Sequence, residues 1–113
     1  MELRSTTMEN GARLVKLTGK LDGNGVREIE TKLAGFCAGE RVRVMLDLSG
    51  VDYLASKGIR LLILTARSVV QRHGRLVLLN PAPGVNHVLV VSGIPEIIPT
   101  YSQLESAETV LMA

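Results

Sequence analysis

The stretch Val42-Arg-Val-Met-Leu-Asp-Leu48, then Ser56-Lys-Gly-Ile-Arg-Leu-Leu-Ile-Leu-Thr-Ala-Arg-Ser-Val-Val-Gln71, then Arg75-Leu-Val-Leu-Leu79, decides the fold. In the first run Val42, Val44, Leu46 and Leu48 alternate with Arg43, Met45 and Asp47, the period of a strand with at least one buried face. In the second, Ile59, Leu62, Ile63, Ala66 and Val70 share one face of a helix while Arg60, Arg67 and Gln71 share the other, and Gly74 stops it. The third run is short, aliphatic and strand-like. Strand, amphipathic helix and strand in succession make a unit of parallel sheet with a helix laid across it.

Working outward, Leu3 to Met8 and Arg13 to Thr18 are expected to pair as a hairpin across the turn signal Asn10-Gly11. Asn24 is positioned to cap a helix carrying Val26, Ile29, Leu33, Phe36 and Cys37 at helical spacing, with Gly39 as its stop. Residues after Leu48 read as a polar loop. Beyond Asn80-Pro-Ala-Pro-Gly84, an apolar helix is expected from Val85 to Val91, ending at Gly93. Ile97-Ile98 reads as a short edge strand, and Ser102-Gln-Leu-Glu105 as a capping box for a helix from about Gln103 to Leu111. The sum is an α/β layer fold with an N-terminal hairpin, a mainly parallel central sheet of four to five strands, and about four helices. With 113 residues and 46% hydrophobic content, residues 1–113 are expected to form one domain.

Composition excludes several kinds of chemistry. The chain has a formal net charge of +2 with scattered Lys and Arg, one Phe, two Tyr and no Trp, so neither a basic stripe nor a stacking platform for nucleic acid is expected. One cysteine, Cys37, and two separated histidines, His73 and His87, give no metal-ligand spacing. No apolar run approaches a membrane span and no signal peptide opens the chain, so a cytoplasmic location without membrane insertion is expected.

Gly19-Lys-Leu-Asp-Gly-Asn-Gly25 invites a phosphate-loop reading, but the Lys-Ser/Thr pair is missing and Glu28 stands where a dinucleotide fingerprint needs its third glycine. A plain strand-to-helix turn fits better. Asp22, Asp47 and Asp52 lack the acidic pair of a phospho-accepting receiver, and no Gly-x-Ser-x-Gly elbow is present. His73, beside Gly74, suits a helix C-terminus, and His87 reads as surface-facing. No catalytic residue, metal or cofactor is expected. What remains is Asp52-Tyr-Leu-Ala-Ser56-Lys-Gly58-Ile-Arg-Leu-Leu62. Ser56 is a candidate N-cap at which a phosphoryl group would meet free helix amides, Lys57 and Arg60 add positive charge, and Leu64 faces outward.

Leu17-Thr-Gly-Lys-Leu-Asp22, Leu46-Asp-Leu-Ser-Gly-Val51 and Ser56-Lys-Gly58 occur in the order and spacing of STAS domains. Gly74-Arg-Leu-Val-Leu-Leu79, Pro83-Gly-Val85 and Ser92-Gly-Ile94 continue the pattern, so the resemblance spans nearly the whole chain, which looks like a bacterial anti-sigma factor antagonist. That resemblance implies a non-enzymatic partner switch. The unmodified antagonist would bind an anti-sigma factor that is also a serine kinase, phosphorylation would break the complex, and a serine phosphatase would restore it. The family's phospho-accepting serine falls on Ser56, with Ala55, Lys57, Gly58, Arg60, Leu61, Leu64, Asp22 and Asn24 as the implied partner contacts. Ala55 stands where the family usually has Asp and Lys57 where it has Ser or Thr, a change of two charge units that makes a different or more acidic partner surface the expectation. The alternative within the same family is a non-switching accessory subunit of an ABC-type lipid transporter.

Overall fold

Aliphatic alternation in the middle of the chain becomes the middle of a sheet. The computed structural model describes residues 1–113, in the order β1 (Glu2–Thr7), β2 (Arg13–Leu21), α1 (Gly23–Phe36), β3 (Arg43–Leu54), α2 (Ser56–Gln71), β4 (Arg75–Leu79), α3 (Pro83–Val91), β5 (Thr100–Tyr101) and α4 (Leu104–Leu111). A 3-10 turn, Ile94–Glu96, joins α3 to β5. The strands lie in the sheet in chain order. β1 and β2 pair antiparallel, as the Asn10-Gly11 turn requires, and every later pair is parallel. The Asn10 side-chain carbonyl holds the turn by accepting from the Ala12 amide at 3.0 Å, and Gly11 takes φ +87°.

The period-2 pattern sorts side chains to two faces. Val15, Leu17, Val44, Leu46, Leu48, Leu76 and Leu78 meet Ile29 and Leu33 of α1, Leu62 and Val69 of α2, and Val85 and Leu89 of α3 in the larger core. On the other face Met45, Val77 and Leu79 are covered by Ala107 and Leu111 of α4, with Ala12. Leu62 is fully buried. Burying a leucine side chain is worth about 1.5–3 kcal/mol, so the apolar stripe of α2 is what fastens it to the sheet.

Five local expectations are corrected. The residues after Leu48 continue β3 to Leu54, with Thr18 opposite Gly50 and Leu21 opposite Leu54. Two register shifts against β2 each insert an extra residue into β3 and break its alternation, which is why a polar composition concealed a strand whose Val51 and Leu54 are buried. Asp22, not Asn24, caps α1: its carboxylate accepts from the Gly25 amide at 2.8 Å, while the Asn24 side chain accepts from Arg27. Ile97-Ile98 is not a strand, because the amides of both residues bond back to the Ile94 carbonyl; Ile98 plugs the core and Thr100–Tyr101 forms the edge. α3 starts at Pro83 rather than Val85, since proline suits the first helical position. The last helix is capped by Gln103 without a side-chain bond, so the Ser102 capping box does not form.

Candidate functional site

The chain returns twice to one end of the sheet, and each time a helix begins there. β2 delivers Asp22 and the start of α1, while β3 delivers Ala55 and the start of α2. Because β2 and β3 are parallel neighbours, the two helix N-termini lie side by side with their positive ends at the carboxyl edge of the strands, where open α/β sheets bind ligands.

Two glycines allow this close approach. A Cβ on Gly25 would lie 2.0 Å from the Lys20 carbonyl oxygen, and one on Gly58 would lie 2.4 Å from the Leu21 carbonyl oxygen and 2.8 Å from Leu21 Cγ. Gly25 thus lets α1 abut the end of β2, which accounts for the glycine-rich stretch without a phosphate. Gly58, expected as a partner contact, is buried and seats α2 on the end of β2. The Ala55 amide bonds to the Leu21 carbonyl at 3.1 Å and completes the junction.

Ser56 is the first residue of α2 rather than its cap. The cap position belongs to Ala55, extended at φ −101° and ψ 172°, whose methyl offers no acceptor. The first turn of α2 therefore has neither a side-chain cap nor an acidic residue. Ser56, Lys57, Arg60 and Leu64 are exposed, and Ala55 and Leu61 are half-buried. Among the expected contacts, Leu64 is the large aliphatic one left open, at 48% exposure. Asp22 is occupied with its cap, and Asn24, although exposed, with Arg27.

Three residues join this surface that the sequence did not single out for it. The Lys57 side chain crosses Gly23, so that a Cβ there would sit 3.6 Å from Lys57 Nζ and 3.9 Å from the Arg27 guanidinium. Two cations thus gather over the start of α1. Tyr53, 53% exposed, stands at the end of β3 opposite Lys20; its partly polar strand hid it. Arg67 is exposed on the same side of α2 as Arg60, and the i, i+7 spacing was the signal available for it. Beside them, between α1 and α2, runs a groove of about 640 Å³ whose lining includes Ala34, Cys37, Leu61, Leu64 and Thr65. His87 is exposed, as its sequence position suggested. His73 sits at φ +65° just past α2, where its amide and that of Gly74 bond to Val70 and Val69 carbonyls at 2.9 Å each. Its backbone, more than its charge, closes that helix.

A sheet with one antiparallel edge, helices α1 to α3 on one face and α4 on the other, is the architecture with which the comparisons agree. The STAS domain family model matches residues 5–107, and the chain belongs to that family. A relative from Bordetella bronchiseptica, named as the anti-sigma factor antagonist BtrV, is 35% identical over 99 residues, covering 87% of this chain and 84% of its own. In fold, the crystal structure of an anti-sigma factor antagonist from Mycobacterium paratuberculosis superposes with a TM-score of 0.88 at 20% identity, covering 99% of this chain and 94% of its own. The Bacillus cell fate determinant SpoIIAA, in its phosphorylated form, gives a TM-score of 0.69 at 22% identity over 96% of this chain and 99% of its own. No helix here is long and apolar enough to cross a membrane.

Proposed function

We propose that this protein is an anti-sigma factor antagonist working by partner switching, with Ser56 as the switch. The observation that carries the reading is the exposed Ser56 hydroxyl on an uncapped first turn of α2, in a chain whose 35%-identical relative is named for that role. Unmodified, the start of α2 docks on an anti-sigma factor that is also a serine kinase, and a client is freed. Ser56 Oγ then attacks the γ-phosphorus of ATP, ADP departs with the bridging oxygen, and a base of the kinase takes the hydroxyl proton. A separate phosphatase reverses this with water, releasing inorganic phosphate. The antagonist is substrate and ligand throughout.

Phosphorylation adds about 1.5–2 negative charges and three strong acceptors at neutral pH. Placed at an N-terminus that lacks a cap, the group gains from the free amides and the dipole, so the isolated domain tolerates it. Against a partner fitted to a neutral hydroxyl it brings repulsion and desolvation of several kcal/mol, and each 1.4 kcal/mol is about tenfold in affinity. SpoIIAA, a fold neighbour, is known in a phosphorylated form, which supports the reading.

The test is incubation with ATP and the anti-sigma factor kinase, followed by mass-spectrometric location of the phosphoryl group and by titration of the complex. Transfer to Ser56 is expected, Ser56→Ala should abolish it, and Ser56→Asp should weaken binding at least about tenfold. Transfer elsewhere, or equal binding by Ser56→Asp, would sink the switch.

A further inference from the structure

The cations of the molecule differ in how far the fold engages them. At one end, arginines are spent on helix C-termini: Arg13 donates to the Phe36 and Ala38 carbonyls at 3.0 and 2.7 Å, and Arg72 to those of Cys37 and Gly39 at 2.7 and 3.0 Å. Arg43 and Arg75 do the same for α4. On α2 the opposite holds. That helix contains Lys57, Arg60 and Arg67 but no Asp or Glu, so its charge alone exceeds the net +2 of the whole chain. None of the three donates a hydrogen bond within the protein, and the single ion pair of the molecule lies elsewhere, between the Met1 amino group and Glu28.

Two of these cations also sit at the positive end of the helix, and Lys57 shares the space over Gly23 with Arg27. Each is unfavourable where it stands, and no carboxylate lies within ion-pair distance of it. The exposed residues Lys57, Arg60, Leu64 and Arg67 follow one another at spacings of three and four along one ridge of α2. Leu64 also lines the groove against α1, where Ala34, Ala38 and Leu61 are flanked by Thr31, Ser68, Arg72 and one carboxylate, Glu30, so the ridge is a row of cations with a partly apolar trough beside it.

We infer that this ridge and groove form a docking surface for an acidic, amphipathic segment of a protein partner. Carboxylates of that segment face Arg60, Arg67 and Lys57, and its aliphatic side chains enter the trough beside Leu61 and Leu64. The trough is what selects a polypeptide, because a duplex or a single strand has no aliphatic side chains to place there and the exposed Tyr53 offers only a lone ring for stacking. The inference rests on the proposed function insofar as it assigns this chemistry to the anti-sigma factor. It also gives the switch its sign. A phosphoryl group on Ser56 lies one turn before Arg60, engages it as an i, i+4 pair, and sets negative charge against an acidic partner.

The test uses the full chain labelled with ¹⁵N and a short synthetic helical peptide of Glu and Leu, with its Gln-for-Glu counterpart as reference. Saturable amide shifts centred on Lys57, Arg60, Leu64 and Arg67 are expected, with the Gln peptide at least about tenfold weaker, and affinity should fall as salt rises from about 0.05 to about 0.3 M. The exposed-site variant Arg60→Gln/Arg67→Gln should lose the shifts, while Arg4→Gln/Lys16→Gln on the hairpin should keep them. Absence of shifts, equal binding of the Gln peptide, or shifts centred on Arg4 and Lys16 would overturn the inference. So would tighter uptake by phosphatidylserine vesicles or a single-stranded RNA, or peptide-free, concentration-dependent shifts marking a second copy. In parallel, Arg60→Gln/Arg67→Gln should weaken the anti-sigma factor complex at least about tenfold. If that factor fails to bind even the unaltered chain while the peptide binds as described, the functional proposal falls and the surface stands.

Discussion

Single atoms decide how the start of α2 behaves. Ala55 has the extended backbone of a cap without its acceptor, so Ala55→Asp should accept an α2 amide and stabilise the fold by about 1 kcal/mol, read as a rise in the thermal midpoint. Gly58 allows no such freedom. Gly58→Ala would force a methyl to 2.4 Å from the Leu21 carbonyl, and a loss of about 1–3 kcal/mol is expected in urea unfolding, with displacement of the Ser56 turn. Cys37 supplies a third check. Burial is the main cause raising its thiol from 9.0 to about 11, against the opposing pull of Arg13 and Arg72. The unfolded chain ionises at the lower value, so the stability this thiol contributes is complete below pH 9 and is lost as pH rises through about 11. Comparing unfolding of the unaltered chain with Cys37→Ala across that window should isolate the slope, and an identical pH dependence would contradict it.

At the scale of elements, helix ends matter as much as helix faces. α1 ends without a basic residue of its own in the last turn, and that role passes to Arg13 on β2 and Arg72 after α2, which bind its terminal carbonyls. Arg72→Ala should cost about 1–3 kcal/mol in chemical denaturation by freeing those acceptors, and Arg72→Lys should recover only part, because an ammonium cannot fork between two carbonyls. Such pairings join residues far apart in sequence and leave no local pattern, so they were illegible in the chain. The faces were legible, since Val42 to Leu48 and Ile59 to Val70 carry their periods openly. Strand ends and helix starts were not. Val51 and Leu54 are masked by the extra residues that β3 inserts against β2, and the cap of α1 is ambiguous because Asp22 and Asn24 are equally good acceptors.

For the molecule as a whole, the sequence conveyed the sheet, its hairpin and the turn at Ser56, together with the family resemblance. It did not convey which cations are committed. Arg72 and Arg67 look equivalent in a composition, yet one is bonded to two backbone carbonyls and the other faces solvent. A net charge of +2 therefore describes the molecule poorly, since α2 alone carries three uncommitted cations and no carboxylate.

The sheet whose strands lie in chain order has a bearing on how the protein is made. Each strand joins a partner that has already left the ribosome, so no gap must be held open for a later arrival and loop-closure entropy is kept low at every step. The exception is a face rather than an edge. Met45, Val77 and Leu79 wait for Ala107 and Leu111, which follow all five strands, and until α4 emerges the nascent domain carries a bare aliphatic surface that a chaperone could recognise.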